Sequence, residues 1–396
     1  MKLNDVVILD GARTAIGTFG GNLSGFTPAQ LGTISAIEAI KRSGVDANDI
    51  DHAVFGHIIT TSPQDAYVAR HIALNVGMSE NSAAFNVNRL CGSAVQSVIS
   101  AAQMIMMGDS TIALAGGTES MSQGAYLLPK ARTGFGMGDA KAVDLTLGIL
   151  SDPFDSGHMG ITAENIAKEY GFTRQQLDTY AVESHKKANS AINAGFFKEQ
   201  IVPITVKVDR KEFEFSTDEH VRPNANIEQL AKLKPAFKKD GIVTAGNASG
   251  LNDGAASLVL TSMAEADKRG ITPRGRFISY AFAGIQPNMM GLGPIPAVNK
   301  ALEQAKITVN DLDVIESNEA FSAQAMAVSQ SLNFDPTKVN PNGGAVALGH
   351  PVGATGSILI IKTLAELERI NGRYGLITMC IGGGQGIALI IERLSR

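Results

Sequence analysis

The sequence contains little cysteine: its 396 residues include two, Cys91 and Cys380. So few cysteines argue against a fold that is held together by disulfides. Chains without disulfides are typical of a reducing compartment, and we therefore expect a cytoplasmic protein. The two thiols then become candidates for chemistry rather than for cross-linking.

The chain also lacks a strong charge bias. It has 34 Lys and Arg against 38 Asp and Glu, a net charge of −4 and a pI of about 6.0. This balance argues against nucleic acid and against an acidic membrane surface as partners. We further expect no signal peptide at residues 1–5, no stretch of transmembrane length and no peroxisomal signal at residues 394–396, which read Leu-Ser-Arg.

Metal-ligand motifs are missing as well. The seven histidines show no spacing that is typical of a metal site, so we expect no metal. The glycine-rich segment Gly382–Gly386 lacks the Lys-Ser/Thr of a phosphate-binding P-loop, and it does not open a helix as a dinucleotide fingerprint would. The segment therefore matches neither of these two nucleotide-binding motifs. Glycine itself is abundant, at 42 residues, which indicates tight turns around backbone-lined sites.

Two segments of the chain share one order of elements. Each has a reactive residue, a helix-type apolar repeat, a glycine that ends the helix, a strand and a glycine-rich turn. We interpret this order as an internal duplication of an α/β unit. The elements are Cys91, Val95–Met106, Gly108, 111–115 and Gly116-Gly117 in the first segment, and His350, Ile358–Leu367, Gly372, 376–380 and Gly382–Gly384 in the second.

The rest of the pattern predicts further elements, and a region of different character between the repeated units, about 121–245. Within it, 222–239 carries five Lys or Arg against one Glu, which indicates either a solvated helix face or a local anion site. The predicted strands are 6–9, 53–60 and 85–88, the predicted helices are 28–42, 66–77, 162–170 and 174–194, and a hairpin is predicted at 204–208 and 212–215.

Cys91 is placed where a thiol can be reactive. It comes just before a helix, whose N-terminus carries free N–H groups and a partial positive charge. Both should lower the pKa of the thiol, and Gly92 should let a substrate carbonyl approach the backbone. The alternative is a buried structural cysteine.

His350 and Cys380 lie at similar corners. His350 also precedes a helix, which disfavours an imidazolium and favours a neutral, proton-accepting ring. A capping or core histidine is the alternative. Cys380 ends a strand and faces the glycine-rich turn, whose N–H groups could bind an oxyanion.

Four segments of the chain resemble the catalytic segments of the thiolase family, and they occur in the family's order. They are Asn88–Ser93, Asn318–Phe321, Gly343–Pro351 and Cys380–Gly384. Ala245–Gly250, continued by Asp253–Ala256, is similar to a further hallmark of that family, and the match runs essentially from end to end. His158-Met159-Gly160 resembles the biosynthetic, acetoacetyl-CoA-forming members more than the long-chain degradative ones.

The resemblance implies an α/β thiolase fold: two duplicated α-β-α layered halves with five-stranded mixed sheets, plus an inserted loop domain. The N-terminal half would span 1–120 and be completed by about 245–270. The inserted loop domain, 121–244, would bind coenzyme A, with the basic segment at the 3′-phosphate ADP end, and 271–396 would form the C-terminal half. A homo-oligomer, dimer or tetramer, is implied as well.

The resemblance also implies the site residues. The catalytic ones would be Cys91, His350, Cys380, Asn318 and Gly382. Acetyl-CoA, acetoacetyl-CoA and CoA would be the substrates and products, with no metal and no bound cofactor. The residues implied to contact coenzyme A are Leu150, His158, Met159, Arg222, Phe237, Ala245, Ser249, Met290, Ala320 and Phe321.

The implied reaction is a reversible Claisen condensation of two acetyl-CoA molecules to acetoacetyl-CoA and CoA, by ping-pong acyl transfer through Cys91. A degradative 3-oxoacyl-CoA thiolase of broader chain length is the first alternative. A Cys-His hydrolase would leave Cys380 without a purpose, and a non-catalytic acyl-CoA or lipid carrier should have lost at least one of the catalytic residues.

Overall fold

The computed structural model describes residues 2–208 and 210–394. Met1, at the start of the segment considered above as a signal peptide, lies outside the described residues. So do Ser395 and Arg396, the last two residues of the segment considered as a peroxisomal signal.

The N-terminal half alternates strands and helices. Its first helix has an N-cap at Thr27, whose side chain accepts a hydrogen bond from Gln30 N, and it stops at Gly44 in the left-handed conformation. The elements are β1 (Val6–Thr14), β2 (Gly17–Thr18), α1 (Pro28–Ser43), β3 (His52–Gly56), α2 (Val68–Asn75), β4 (Ala83–Val87), α3 (Ser93–Met107) and β5 (Ile112–Ser120).

Several predictions for this half are wrong at their boundaries. The strands predicted at 6–9 and 111–115 extend to Thr14 and Ser120. The strand predicted at 53–60 ends at Gly56, the last residue of β3 that pairs with β4 and β5. The helix predicted at 66–77 covers eight residues, since Pro63–Tyr67 before it form a 3-10 helix instead.

The region between the halves holds short strands and two longer helices. The helix predicted at 162–170 starts earlier, at Met159, because the His158 ring accepts a hydrogen bond from Gly160 N and caps it. The elements are β6 (Tyr126–Leu127), β7 (Val143–Asp144), α4 (Leu145–Ile149), β8 (Ser151–Asp152), β9 (Gly157–His158), α5 (Met159–Glu169), α6 (Arg174–Asn193), β10 (Ile201–Val202), β11 (Ile204–Val208), β12 (Lys211–Phe215) and α7 (Ile227–Ala231).

The remaining chain completes the first half and builds the second. The elements are β13 (Asn252–Ser262), α8 (Met263–Arg269), β14 (Gly275–Gly284), α9 (Pro294–Ala305), β15 (Leu312–Ser317), α10 (Ser322–Ser331), α11 (Ala345–Leu348), α12 (Thr355–Ile370), β16 (Tyr374–Ile381) and β17 (Gln385–Arg393).

Eleven strands in the described part of the chain form one mixed sheet, whose main path runs β15-β16-β17-β14-β1-β13-β5-β3-β4, with β10 beside β1 and β2 beside β13. The pairs β6-β7, β8-β9 and β11-β12 form separate two-stranded sheets. Strand β13 lies between β1 and β5, so the chain returns to the first half after the inserted region. The two halves of the sheet meet where β1 and β14 pair at two positions. The predicted α/β architecture is confirmed, while the domain boundaries stay a prediction.

The C-terminal half has four strands among the described residues, where five were predicted. An isolated bridge between Ile315 and Val339 takes the fifth position. The ladder stops there because the next residue, Asn340, is left-handed (φ 42°) and uses its side chain instead. Its amide accepts from Ser317 N and donates to Ser317 O, at 3.0 and 2.8 Å.

Helices α3 and α12 pack against each other in the core, next to the central strands. Glycine makes this close approach possible: a Cβ at Gly356 would lie 2.5 Å from Val95 N. Because the two helices begin at the same level, the residues just before them, Cys91 and His350, come together at one end of the core.

The prediction that no stretch reaches transmembrane length is wrong. Among the described residues, Leu90–Met107 has the length and composition to cross a membrane, with a mean hydropathy of 1.4. More than half of this stretch is buried inside the fold, where α3 contacts β3, β5 and α12. A helix that is packed on several sides is apolar on all of them, which explains the composition.

Candidate active site

A cavity of about 410 Å³ lies where the two halves and the inserted region meet. Four of the five predicted catalytic residues line it: Cys91, His350, Cys380 and Gly382. The fifth, Asn318, lies behind His350. All ten residues predicted to contact coenzyme A also line the cavity, namely Leu150, His158, Met159, Arg222, Phe237, Ala245, Ser249, Met290, Ala320 and Phe321.

Hydrogen bonds within the loop that carries Cys91 hold this loop in a tight turn. Leu90 is left-handed, with φ 48°, which is uncommon for a branched residue and turns the chain sharply before the thiol. The Ser93 hydroxyl accepts from Arg89 N at 2.9 Å and donates to Leu90 O at 2.6 Å. The residue after Cys91 must be small, because a Cβ at Gly92 would lie 2.6 Å from Ile381 of the neighbouring strand β16. Glycine therefore lets the Cys91 loop and the Cys380 strand touch.

The sequence predicted a lowered pKa for Cys91, and this prediction is wrong. Burial raises the pKa of the thiol to about 11, although the backbone N–H groups of Gly382 and of Cys91 itself stabilise the thiolate in part. Desolvation of the sulfur outweighs the helix N-terminus. Cys91 is therefore a thiol at rest, and it needs a base in order to react.

His350 is held by hydrogen bonds that fix which ring nitrogen carries the proton. Its Nδ1 lies 2.7 Å from the Thr355 hydroxyl, and that hydroxyl donates its own proton to Pro351 O at 2.9 Å. The hydroxyl can therefore only accept from His350, so Nδ1 is the protonated nitrogen. Nε2 keeps a free lone pair.

Burial also lowers the pKa of His350, to about 4. The ring is therefore neutral at physiological pH, as the sequence predicted. The orientation of the backbone is set by a residue from the other half, since His350 N donates to Asn252 Oδ1 at 2.8 Å. A neutral imidazole with an unprotonated Nε2 is suited to accept the proton of a neighbouring thiol.

Asn318 directly follows strand β15 and is buried behind His350. Its side-chain amide donates toward His350 Nε2 at 3.4 Å, a long and weak contact. Of the residues that the structure describes, none supplies a hydrogen-bond partner to Asn318 Oδ1. A buried amide oxygen of this kind is suited to accept a hydrogen bond from a water molecule or a ligand.

Cys380 lies near the end of β16, opposite Gly386 on β17. Its pKa is raised first by burial and then by the neighbouring Cys91, whose thiolate would repel a second negative charge. Both thiols are therefore protonated at rest. The site can hold one thiolate far more readily than two.

The turn after Cys380 requires glycine. Gly383 and Gly384 are left-handed, and a Cβ at Gly384 would lie 2.3 Å from Ile285 O. A Cβ at Gly382 would lie 2.9 Å from Met159 Cε. The turn thereby presents the Gly382 N–H to the Cys91 sulfur, beside the N–H of Cys91 itself.

His158, Met159 and Gly160 have separate structural tasks. The His158 ring stacks on Phe237, with centroids 4.6 Å apart. Gly160 leaves room for the Phe237 ring, since a Cβ at Gly160 would lie 2.2 Å from the Phe237 ring. Met159 is buried and reaches the catalytic turn. This corner therefore narrows the cavity next to Cys91 and Cys380.

The basic segment divides into two parts. Arg222 lines the cavity, and its backbone N–H donates to His185 Nδ1 at 3.1 Å. The lysines of the segment do not line the cavity and are exposed to solvent: Lys232, Lys234, Lys238 and Lys239.

Sequence reasoning missed several residues of the site. Thr355 fixes the His350 tautomer, and Asn252 ties His350 to Gly17 O of the other half. Thr355 follows His350 closely, so a hydroxyl in the first turn of the helix was an available signal. Asn252 is remote in sequence and gave none. Further lining residues that were missed are Ile58, Met121, Leu147, Ile149, His220, Leu251 and Val352.

No group of three or more His, Cys, Asp or Glu side chains within 2–208 and 210–394 is arranged to hold a metal ion.

Comparisons with known proteins cover nearly the whole chain. The family model described as "Thiolase, N-terminal domain" matches residues 6–264, and "Thiolase, C-terminal domain" matches residues 271–393. The beta-ketothiolase BktB of Cupriavidus necator is 55% identical over 391 residues, which cover 98% of this chain and 99% of that protein.

Solved structures are similar over the whole chain. The acetyl-CoA acetyltransferase of Bacillus anthracis superposes with a TM-score of 0.96 at 44% identity, covering 99% of both chains. Human mitochondrial 3-ketoacyl-CoA thiolase superposes with a TM-score of 0.97 at 40% identity, covering 98% of this chain and 99% of that one. The predicted thiolase fold is thus confirmed, and the chain belongs to the thiolase family.

Proposed function

We propose that this protein condenses two acetyl-CoA molecules to acetoacetyl-CoA and CoA, reversibly, with Cys91 as the acylated residue. The observation that carries the proposal is the placement of two thiols, Cys91 and Cys380, and the neutral base His350 around one cavity. The Gly382 N–H lies at the Cys91 sulfur, where a tetrahedral oxyanion would form.

In the first half-reaction, His350 Nε2 takes the proton of Cys91, and the thiolate attacks the acetyl thioester. The oxyanion accepts hydrogen bonds from the N–H groups of Cys91 and Gly382. When the tetrahedral intermediate collapses, the CoA sulfur leaves. We infer that the CoA sulfur takes the proton of Cys380. Acetylated Cys91 no longer carries a charge that opposes a Cys380 thiolate, and the His350 imidazolium beside it stabilises that thiolate. Acetyl-Cys91 and the Cys380 thiolate result.

In the second half-reaction, the Cys380 thiolate removes an α-proton from the second acetyl-CoA. The enolate oxygen accepts from protonated His350 Nε2 and from a water held by Asn318. The carbanion attacks acetyl-Cys91, the Cys91 sulfur leaves and takes the proton of His350, and both thiols are restored. The protons balance, so no metal or redox cofactor is required.

For the coenzyme, we propose that the pantetheine arm passes the aromatic row of His158, Phe237 and Phe321, in which the rings contact one another in sequence. Arg222, together with the exposed lysines Lys232–Lys239 of the basic segment, would hold the 3′-phosphate ADP end. The predicted inserted loop domain, 121–244, then serves as the coenzyme-binding part of the molecule.

We propose that the protein is a cytoplasmic homo-oligomer, a dimer or a tetramer. Among the described residues β4 pairs with β3 alone, so its other edge is open to a second chain. The inserted region adds apolar side chains that are at least half exposed, which a further contact would cover. They are Tyr126, Leu127, Leu128, Phe135 and Met137.

The proposed function is tested by the position of the acetyl group. After brief exposure to acetyl-CoA, peptide mass spectrometry should find one acetyl group, on the peptide that contains Cys91. Cys91→Ala should take up none. Acetyl on Cys380 alone would reverse the roles of the two thiols.

The chain-length preference is a second expected result. Met159 fills the space beside Gly382, so each added methylene must displace its side chain. Overpacking of this kind costs about 1–3 kcal/mol, or roughly 5- to 150-fold in rate. In thiolysis assays, acetoacetyl-CoA should therefore be cleaved much faster than 3-oxohexanoyl-CoA, and 3-oxodecanoyl-CoA barely at all.

A 3-oxoacyl-CoA thiolase of broader chain length is the second candidate. The similarity to human mitochondrial 3-ketoacyl-CoA thiolase favours it, while the filled corner at Met159 argues against it. Met159→Ala should raise the relative rate with 3-oxohexanoyl-CoA. A flat profile of the unchanged protein over the three substrates would select this second candidate.

A further inference from the structure

A buried charged group that is not one of the catalytic residues lies directly after strand β3. The ring of His57 is placed between two carboxylates: Nδ1 lies 3.2 Å from Glu119 Oε1, and Nε2 lies 3.4 Å from Asp65 Oδ2. All three side chains are buried. Charges so close together in a dry interior interact strongly, because little water is there to screen them.

The two carboxylates differ in their other partners. Asp65 accepts hydrogen bonds from the backbone and hydroxyl of Thr61 and from Ser62 N, so it is well satisfied. Glu119 accepts one backbone bond, from Ile59 N at 3.1 Å. Within the described part of the chain, Glu119 Oε2 has no hydrogen-bond partner. The Glu119 charge therefore depends on His57 more than the Asp65 charge does.

Glu119 lies close to the catalytic centre. Its Oε2 would be 2.5 Å from a Cβ at Gly353, in the turn that follows His350. Ile58 and Ile59, which join His57 to the site, pack in one apolar cluster with Cys91. The Glu119 charge opposes ionisation of the Cys91 thiol, and it contributes to the raised pKa of that thiol.

We propose that His57 is a positioning residue for the nucleophile: its imidazolium offsets the Glu119 carboxylate and keeps that charge from opposing the anions that form at Cys91. These anions are the thiolate and the tetrahedral oxyanion. The proposal rests on the proposed role of Cys91. It assigns a task to a buried charged group that the reaction itself does not use.

The protonation state of His57 agrees with this role. The two carboxylates raise the pKa of its ring to about 10, so it is charged at neutral pH. The titratable groups that share the cavity with Cys91 are Cys380 and His350 from the C-terminal half, and His158, His220 and Arg222 from the inserted region. The Glu119 charge also acts on Asp253, but the Asp253 carboxylate is hydrogen-bonded to Ser122.

The test measures the Cys91 thiolate directly. The rate of alkylation by iodoacetamide is followed from pH 6 to 10, below the raised pKa of Cys91, where the rate follows the small thiolate fraction and rises with pH. Peptide mass spectrometry counts label on the Cys91 peptide alone. His57→Gln should raise the pKa of Cys91 by about one unit and so shift the rising profile to higher pH, which slows alkylation about tenfold at each pH in this range. His52→Gln, at the opposite end of β3 and away from the cavity, is the matched control and should match the unchanged protein.

A variant at Glu119 and a double variant at His57 and Glu119 complete the design. Glu119→Gln removes the opposing charge, so it should shift the profile to lower pH and speed alkylation. H57Q/E119Q should not show the slow alkylation of H57Q. A merely structural role would lower the melting temperature of the variants without moving the profile. That result in either single variant, or a double variant as slow as H57Q, overturns the proposal. If H57Q does not fold, E119Q alone decides.

This experiment is independent of which thiol carries the acyl group. Iodoacetamide reports the Cys91 thiolate whether or not Cys91 is the residue that acetyl-CoA modifies. Acetyl found on Cys380 would therefore overturn the proposed function while leaving the measured shift, and the electrostatic role of His57 toward Cys91, in place.

Discussion

Replacing His350 by glutamine should slow acetylation of Cys91 by about 10²- to 10⁴-fold, the range typical for loss of a general base. The reason lies in the two pKa values. The pKa of Cys91 is raised to about 11, so few molecules carry a thiolate at neutral pH. The pKa of His350 is lowered to about 4, so its ring is a free base there. Glutamine keeps a polar side chain of similar reach but cannot hold the proton.

The same variant should change the pH dependence in a defined direction. A neutral base is lost only by protonation, so the unchanged protein should lose acetylation as the pH falls toward about 4. In His350→Gln the thiolate must form by direct ionisation. The rate of Cys91 acetylation in this variant should rise about tenfold per pH unit until the pH approaches about 11, the pKa of Cys91.

Single-turnover release of CoA from acetyl-CoA measures both effects. His71→Gln, on α2 and outside the cavity, is the matched control, and it should behave as the unchanged protein does. A His350→Gln variant that acetylates at the normal rate, or one whose rate is flat with pH, would contradict the assignment of His350 as the base.

The sequence predicted the positions of the reactive groups because those positions follow local rules. Cys91 and His350 each precede a helix, and Cys380 precedes a turn that glycine alone can make. Local spacing is enough to place such groups on corners. Their convergence in one cavity follows from the duplicated unit, whose two core helices begin side by side.

The state of the thiols could not be predicted in this way. A helix N-terminus should lower the pKa of Cys91, yet burial raises it, and burial depends on residues from distant parts of the chain. Met159 comes from the inserted region and Ile381 from the last hairpin. A pKa is set by everything that surrounds the group, and the sequence around it describes only a part of that surrounding.

Partners that are remote in sequence were missed for the same reason. Asn252 holds His350 N, and Glu119 faces the turn after His350, but neither lies in a segment that identifies its neighbour. The stop of the fifth C-terminal strand is similar, because it depends on the Asn340 side chain meeting Ser317 across the sheet. Tertiary contacts decide such details after local propensity has placed the elements.

Replacing Cys380 by serine should separate the two half-reactions. Condensation should fall by at least about a hundredfold, because an alcohol is a far weaker base than a thiolate. Acetylation of Cys91 should survive in part, since His350 still takes the Cys91 proton and can return it to the departing CoA sulfur. The variant should therefore accumulate acetyl-Cys91, which intact-protein mass spectrometry would show as one added acetyl group.

The accumulation follows from the raised pKa of both thiols. In the unchanged protein, the thiolate of Cys380 forms as the first CoA leaves, and it is then ready for the α-proton of the second acetyl-CoA. Serine gives up no proton at that step and gains no negative charge, so acetyl-Cys91 waits without a base. Ala283→Ser, which adds a hydroxyl on β14 outside the cavity, controls for the polar substitution. Equal losses in acetylation and condensation in Cys380→Ser would contradict this division of labour, because one group would then serve both steps.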